Sequence, residues 1–284
     1  MICVADSGST KTDWVFAQPG GKKEDWLRFS SQGLNPFYVS TQEVAQTIEK
    51  AIPLEIREQT THVYFYGAGC SSPDRNQVLV KGIEPKFKTA KVEVDHDLLA
   101  AARASCQNEN GVVSILGTGS NSCKYNGREI VDNVDNLGFL LGDEGSGADI
   151  GRALVKARCY REMPADIQAR FDEQFDWDRE KMLQQVYHRP MPNRYMASFA
   201  PFCGEHIHEP FIQGLVKSVM LEFIDRHLLK YDVPDWEHHF IGSIAAHFEG
   251  ELKVVMKKRG LKLGKIIKHP VHSLLNFHLE QHAL

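Results

Sequence analysis

The chain has 284 residues, 42% of them hydrophobic, enough to bury a sizeable core and to fill two domains. Its 33 basic and 37 acidic residues leave a formal net charge of -4 and are mixed along the chain, offering neither a basic field for nucleic acid nor an acidic solvating tail. No run approaches the roughly 20 apolar residues of a membrane helix. The amino terminus lacks a basic region followed by a long apolar stretch, and Cys3, Cys70, Cys106, Cys123, Cys159 and Cys203 show no C-x-x-C spacing. The expectation is a soluble, cytoplasmic protein with reduced thiols and no nucleic-acid or membrane partner.

Ile2, Cys3 and Val4 empty into Asp6-Ser7-Gly8-Ser9-Thr10-Lys11-Thr12, and TDWVFAQPGGKKEDWLRF then reads as strand, glycine-rich turn and strand. In SSQGLNPFYV, Gly33 and Pro36 mark a loop, and Asn35 reads first as a turn asparagine. TQEVAQTIEKAI (41 to 52) sets Val44, Ile48 and Ile52 at helical spacing before Pro53. HVYFYGAGC (62 to 70) is a buried strand running into a turn, where Gly67 and Gly69 let a ligand or a neighbouring element approach the backbone. KVEVDHDLLAAARASC passes from alternation at Val92 and Val94 to a helix-forming run beginning at Leu98. Asp97, at that junction, has two readings: an N-cap, or a general base that takes a proton from a substrate hydroxyl. Asp95, two residues earlier, is the other carboxylate that could be the base.

GVVSILGTGSNSC (111 to 123) repeats the amino-terminal arrangement. A buried strand opens into Gly117, Thr118, Gly119, Ser120 and Asn121, a turn whose N–H groups and hydroxyls can cradle a phosphate. A Rossmann fingerprint would need a helix next, but Asn126-Gly127 signals a two-residue hairpin turn instead. Two strand, turn, strand units in one chain predict an internal duplication. In GDEGSGADIGR, Asp143 and Glu144 read as acids at a helix start or as ligand contacts. Residues 160 to 235 read as largely helical and polar. Glu205, His206, His208 and Glu209 lack the i, i+4 spacing of a zinc site and read as a surface cluster. HHFIGSIAAHF is strand, Gly242-Ser243, helix, either an ordinary turn or one small enough for a flat base to lie against. Lys257-Lys258-Arg259 before Gly260 reads as a solvated helix end, KLGKIIKH as a last strand and HPVHSLLNFHLE as a closing helix.

ADSGSTKTDW, YGAGC, ILGTGSNS, GDEGSGADIGR and FIGSIAAHF stand in family order, and with them the chain resembles the sugar kinase, hexokinase and actin superfamily. More narrowly it resembles the N-acetylglucosamine kinase and BadF/BcrA-type ATPase family. The resemblance implies an α/β fold of two ribonuclease H-like (actin/hexokinase-type) domains, mixed sheets flanked by helices, with the nucleotide in the cleft between them. The domains would be 1 to 108, with helix 271 to 284 packing back, and 109 to 270, with a helical insertion at about 160 to 235. It implies ATP and Mg2+, with Gly8, Ser9, Thr10, Lys11, Thr12, Gly117, Thr118, Gly119 and Ser120 at the phosphates, Gly242 and Ser243 at the adenosine, and Asp6 at the metal through water. It makes Asp97 the base and places Asn35, Gly69, Asn121 and Asp143 at the sugar.

The activity implied is phosphorylation of the 6-hydroxyl of an N-acetylated amino sugar, most simply N-acetylglucosamine, by a homodimer. N-acetylmuramic acid, from cell-wall recycling, is the alternative sugar. A rival from another class is an ATP-driven activator of the benzoyl-CoA reductase and hydroxyacyl-CoA dehydratase type, which needs cysteines around an iron–sulfur cluster that this spacing does not supply. A nucleotide-switched binding module of the actin-like kind is a third. The mammalian members carry a tryptophan where this chain has Leu137, a departure bearing on the sugar contacts.

Overall fold

The structure is a computed structural model that describes residues 1–8 and 11–282. The chain divides into two compact units, Met1–Glu109 with Gly127–Glu129 and His269–Leu284, and Asn110–Asn126 with Ile130–Lys268.

The first unit is built on a five-stranded mixed sheet. Strands β1 (Ile2–Ser7), β2 (Lys11–Ala17) and β3 (Leu27–Gln32) form an antiparallel meander, and β4 (His62–Gly67) and β5 (Lys91–His96) add in parallel on the other side of β1, giving the order β3-β2-β1-β4-β5. Alternation along the strands divides the core between two faces. Cys3, Ala5, Trp14, Phe16, Val63 and Phe65 pack with Val44 and Ile48 of the Thr41–Ala51 helix and Leu79 and Ile83 of the Pro73–Ile83 helix. The Asp97–Cys106 and Val271–Gln281 helices pack against each other and the sheet. Tyr66 joins them: its hydroxyl lies 2.8 Å from His278 Nε2 and accepts from Arg103 Nη1 at 2.5 Å. That is why the chain's last helix belongs to the first unit.

The second unit repeats the topology. Strands β6 (Asn110–Leu116), β7 (Ser120–Asn126) and β8 (Ile130–Asp132) form the meander, with β9 (Glu237–Ile241) and β10 (Lys262–Ile267) parallel beyond β6, in the order β10-β9-β6-β7-β8. The predicted duplication is therefore present strand for strand. The turn after β7 is longer than the two-residue hairpin expected from Asn126-Gly127. It spans Gly127–Glu129, with a register shift between Lys124 and Tyr125.

The segment from 160 to 235 differs from its polar reading. Its helices Ala165–Phe175, Ala200–Glu205 and Pro210–Arg226 send Ile167, Phe171, Phe202, Ile212, Val216 and Phe223 into the core of the second unit. The Ala165–Phe175 and Ala200–Glu205 helices bury only two and three apolar residues, so composition over the whole segment conceals their buried faces. Glu209 pairs with Arg170 at 2.9 Å and the His206 ring packs on Phe202 at 4.4 Å. No described helix is long and apolar enough to cross a membrane, and no group of three or more His, Cys, Asp or Glu among the described residues is arranged to hold a metal.

Candidate active site

In the first unit Asp6, Gly69 and Asp97 stand at or just beyond the carboxyl ends of β1, β4 and β5. Asp6 and Asp13 stand directly opposite each other across the β1–β2 pair, and like charges so placed repel. Lys11 answers one of them, holding Asp13 at 2.6 Å. Asp6 keeps the other charge: burial first, then the negative Asp97, then Asp13, push its carboxyl up to about 7. Asp97 is also raised, by burial, while His96 and the N–H groups of Leu98 and of Asp97 itself draw it partly back. Asp97 is not the N-cap. The helix runs Asp97–Cys106, so Asp97 is its first residue, and His96 caps it by accepting the Leu99 N–H on Nδ1 at 3.2 Å. That tautomer carries its proton on Nε2, 3.6 Å from Asp95 Oδ1. Asp95 is thus turned to its neighbour, accepting the His96 N–H at 2.9 Å, and Asp97 is the carboxylate beside Asp6.

The turn after β1 is braced from within. Thr12 is fully buried and donates to the Gln32 carbonyl at 3.0 Å, so the Ser7 hydroxyl, 2.8 Å away, donates to Thr12 and accepts from the Leu34 N–H. Gly8 donates to the Lys11 carbonyl at 3.0 Å, and Gly8 itself is exposed. Ser9 and Thr10 lie outside the described residues.

Asn35 and Gly69 come together. The Asn35 Oδ1 accepts the Phe37 N–H at 2.9 Å, so the turn reading holds for its oxygen. The Gly69 backbone, at φ +87°, presses against it: a Cβ there would lie 2.6 Å from that oxygen and 2.9 Å from the Phe37 ring. Only glycine leaves the loop this close to the turn.

In the second unit, the turn after β6 is held by Asp143. This residue is buried at φ +56° and accepts the Ser120 N–H at 3.2 Å and the Asn136 amide at 3.1 Å on Oδ1. Asn136 also donates to the Ser120 carbonyl. A Cβ on Gly119 would meet the Asp143 carboxylate at 2.9 Å. The Gly147–Cys159 helix begins with Ser146 capping Asp149, and Asp149 reaches back to the Gly145 N–H at 3.1 Å while pairing with Arg152 at 2.6 Å. Its first N–H groups, of Gly147 and Ala148, go to the carbonyls of Gly117 and Thr118. Asn121 is engaged elsewhere, accepting from the Ser122 N–H at 2.9 Å and from Asn133.

Gly242, at φ +115°, lets the end of β9 touch the end of β6, since a Cβ would overlap the Leu116 carbonyl. Beside this contact lies a cavity of about 340 Å³. Gly117, Thr118 and Ser243, three residues predicted for the nucleotide, line it together with Ala200, Pro201, His247 and Lys268. Asn136, Pro201, His247 and Lys268 were invisible to the sequence argument. Asn136 stands seven residues before Asp143 with no periodic signal, and the wall containing Pro201 comes from the segment read as helical and polar.

A meander of three strands with two parallel strands added, present twice, with one carboxylate near the end of β1 and another at the start of the helix after β5, is the architecture of a sugar kinase of the actin and hexokinase type. A crystal structure from Porphyromonas gingivalis, described as a candidate N-acetylglucosamine kinase, is 39% identical, covers 99% of this chain with 100% of its own, and superposes with a TM-score of 0.93. The chain belongs to the N-acetylglucosamine kinase family. A second candidate N-acetylglucosamine kinase, from Chromobacterium violaceum, shares the fold at 16% identity over 97% of this chain and 98% of its own, with a TM-score of 0.72. A candidate N-acetylmannosamine kinase from Listeria monocytogenes does so at 14%, over 100% and 99%, with a TM-score of 0.53. No protein-family profile matches the chain, and no curated protein sequence does.

Proposed function

We propose that the protein transfers the terminal phosphoryl group of ATP to the 6-hydroxyl of an N-acetylated amino sugar, N-acetylglucosamine first among them. The observation that carries this reading is the pair Asp6 and Asp97, two carboxylates in one field at the ends of β1 and β5, in a chain of this family. Asp97, its basicity raised by burial, takes the hydroxyl proton as the sugar oxygen bonds to phosphorus and the bond to the bridging oxygen of ADP breaks. Asn35 offers its amide N–H groups and Asp143 its second carboxylate oxygen to sugar hydroxyls, with Gly69 giving the ring room.

Asp6 fits a magnesium site. Its carboxylate is buried among negative charge, with the nearby Lys11 spent on Asp13, and a cation is the group that would relieve it. Asp6 would hold Mg2+ through water, and the ion would neutralise phosphate charge there. The turn at Gly117–Ser120 and the adjoining cavity are the proposed seats of the phosphates and the adenosine. The buried Ser120 hydroxyl is without a hydrogen-bond partner, and a phosphate oxygen would satisfy it. We place the protein in the cytoplasm as a homodimer, with six free cysteines and the exposed Leu137, Leu140 and Leu141 as supports. The product tests the chemistry: mass and phosphorus NMR spectra should show one phosphate on O6 of N-acetylglucosamine, and phosphate at another position would reject the assignment of the acceptor.

A further inference from the structure

Strand β5 ends at His96 and the helix carrying Asp97 begins at the very next residue, with no loop between them. The strand side of this junction is fixed, because His96 lies opposite Gly67 in the parallel pair with β4. The helix side is fixed further along, where Leu98, Leu99, Ala100, Ala101 and Ala102 are buried. Between these anchors, the direction of Asp97 depends on the extended backbone of His96, at φ -85° and ψ 155°, and on the hydrogen bonds of the first helical turn.

The first N–H groups of a helix have no carbonyl partner within it. Here two consecutive side chains divide them. The Asp97 carboxylate takes the N–H of Leu98 and its own, and the His96 imidazole takes that of Leu99 on Nδ1 at 3.2 Å. Asp95 serves the imidazole in turn. Its Oδ1 accepts the His96 N–H at 2.9 Å and faces Nε2 at 3.6 Å, which keeps the ring proton on Nε2 and the lone pair on Nδ1. The remaining titratable groups around this trio come from neighbouring strands: Asp6 on β1 and Cys70 beyond β4 in the field of Asp97, and Tyr66 on β4 in the field of Asp95.

We propose that His96 is a positioning residue for the phosphoryl transfer: by holding the Leu99 N–H it keeps that donor from Asp97 and leaves the carboxylate free to take the sugar proton. This deepens the kinase reading above and rests on it. Without the imidazole, the Leu99 N–H becomes an unpartnered donor in the same turn as Asp97, a carboxylate that already accepts there. A further backbone bond favours the charged form of Asp97, which weakens it as a base and turns it from the hydroxyl.

Steady-state kinetics with ATP, Mg2+ and N-acetylglucosamine tests the assignment in three variants. His96→Ala removes the acceptor, while the buried body of the helix keeps the fold. His96→Gly is a second form of the same loss, since glycine is well tolerated at an N-cap yet offers no side-chain acceptor. Both are expected to lower kcat about tenfold or more, the scale of a misplaced catalytic group, with KM for ATP within about twofold of the wild type. His96→Asn, whose amide oxygen can accept the Leu99 N–H, should recover kcat to within about threefold. A role in stability alone would lower the melting temperature of His96→Ala and leave its kcat at the wild-type value. Wild-type kcat in both His96→Ala and His96→Gly therefore overturns the inference and leaves the kinase reading standing. So does an equal fall in His96→Asn, which would give the imidazole a part other than the cap. A wild type without sugar-dependent turnover overturns both.

Discussion

Asp6 and Asp97, ninety-one positions apart, share one electrostatic field: the charge on Asp97 is, after burial, the largest influence lifting the Asp6 carboxyl to about 7. Asp13, directly across the sheet, adds to it. A buried carboxylate held in the field of a second is a destabilising arrangement, and such arrangements collect at functional sites.

The first consequence is a pH dependence of stability. Unfolded, Asp6 titrates in the ordinary carboxylate range near 3.8, and folded it titrates at about 7, so the native state holds an extra proton between those values. Its contribution is complete below about pH 3.8 and is lost as pH rises to about 7. The melting temperature in chelator should therefore fall between pH 5 and 8 more steeply in the wild type than in Asp6→Asn. Mg2+ should restore it more at pH 8 than at pH 5. Parallel slopes for the two proteins in chelator would contradict the assignment of the charge to Asp6.

His278 gives the opposite slope. It is buried against Tyr66, and burial, then Arg103 and His282, hold its pKa down to about 3. The unfolded chain takes up a proton near pH 6.5 that the folded chain refuses, so stability is complete above about 6.5 and is lost as pH falls toward 3. Urea midpoints should decline across that range in the wild type and decline less in His278→Gln, which keeps a partner for the Tyr66 hydroxyl but cannot take up the proton.

Gly69→Ala tests the sugar side. The substitution strains a backbone at φ +87° and displaces Asn35, at a cost of about 1 kcal/mol for the strain alone. Steady-state kinetics should show KM for the amino sugar raised about tenfold or more, with KM for ATP within about twofold of the wild type. An equal rise in both would place Gly69 in the scaffold.

Much of this was readable in advance because it depends on local chemistry. Asp97 at the end of an alternating strand and the start of an alanine-rich run is a junction that one sequence displays, and the two strand, turn, strand units announce a duplicated topology. What stayed hidden depends on distant partners. Asp97 yields the cap to His96 because imidazole Nδ1 can accept the Leu99 N–H, a choice set by side-chain orientation. Thr12 looked like a phosphate ligand but has its hydroxyl committed to Gln32, twenty residues along the chain. The cavity wall at Pro201 comes from short helices whose buried stripes are too brief to stand out in a polar segment.

The most direct test is ADP release from ATP and Mg2+ with N-acetylglucosamine, N-acetylmuramic acid, N-acetylmannosamine, glucose or no sugar, in wild type and Asp97→Ala. The account predicts turnover that depends on an N-acetylated amino sugar and falls at least about 100-fold in Asp97→Ala, the usual contribution of a general base. ADP appearing equally without sugar, or undiminished in the variant, would contradict it.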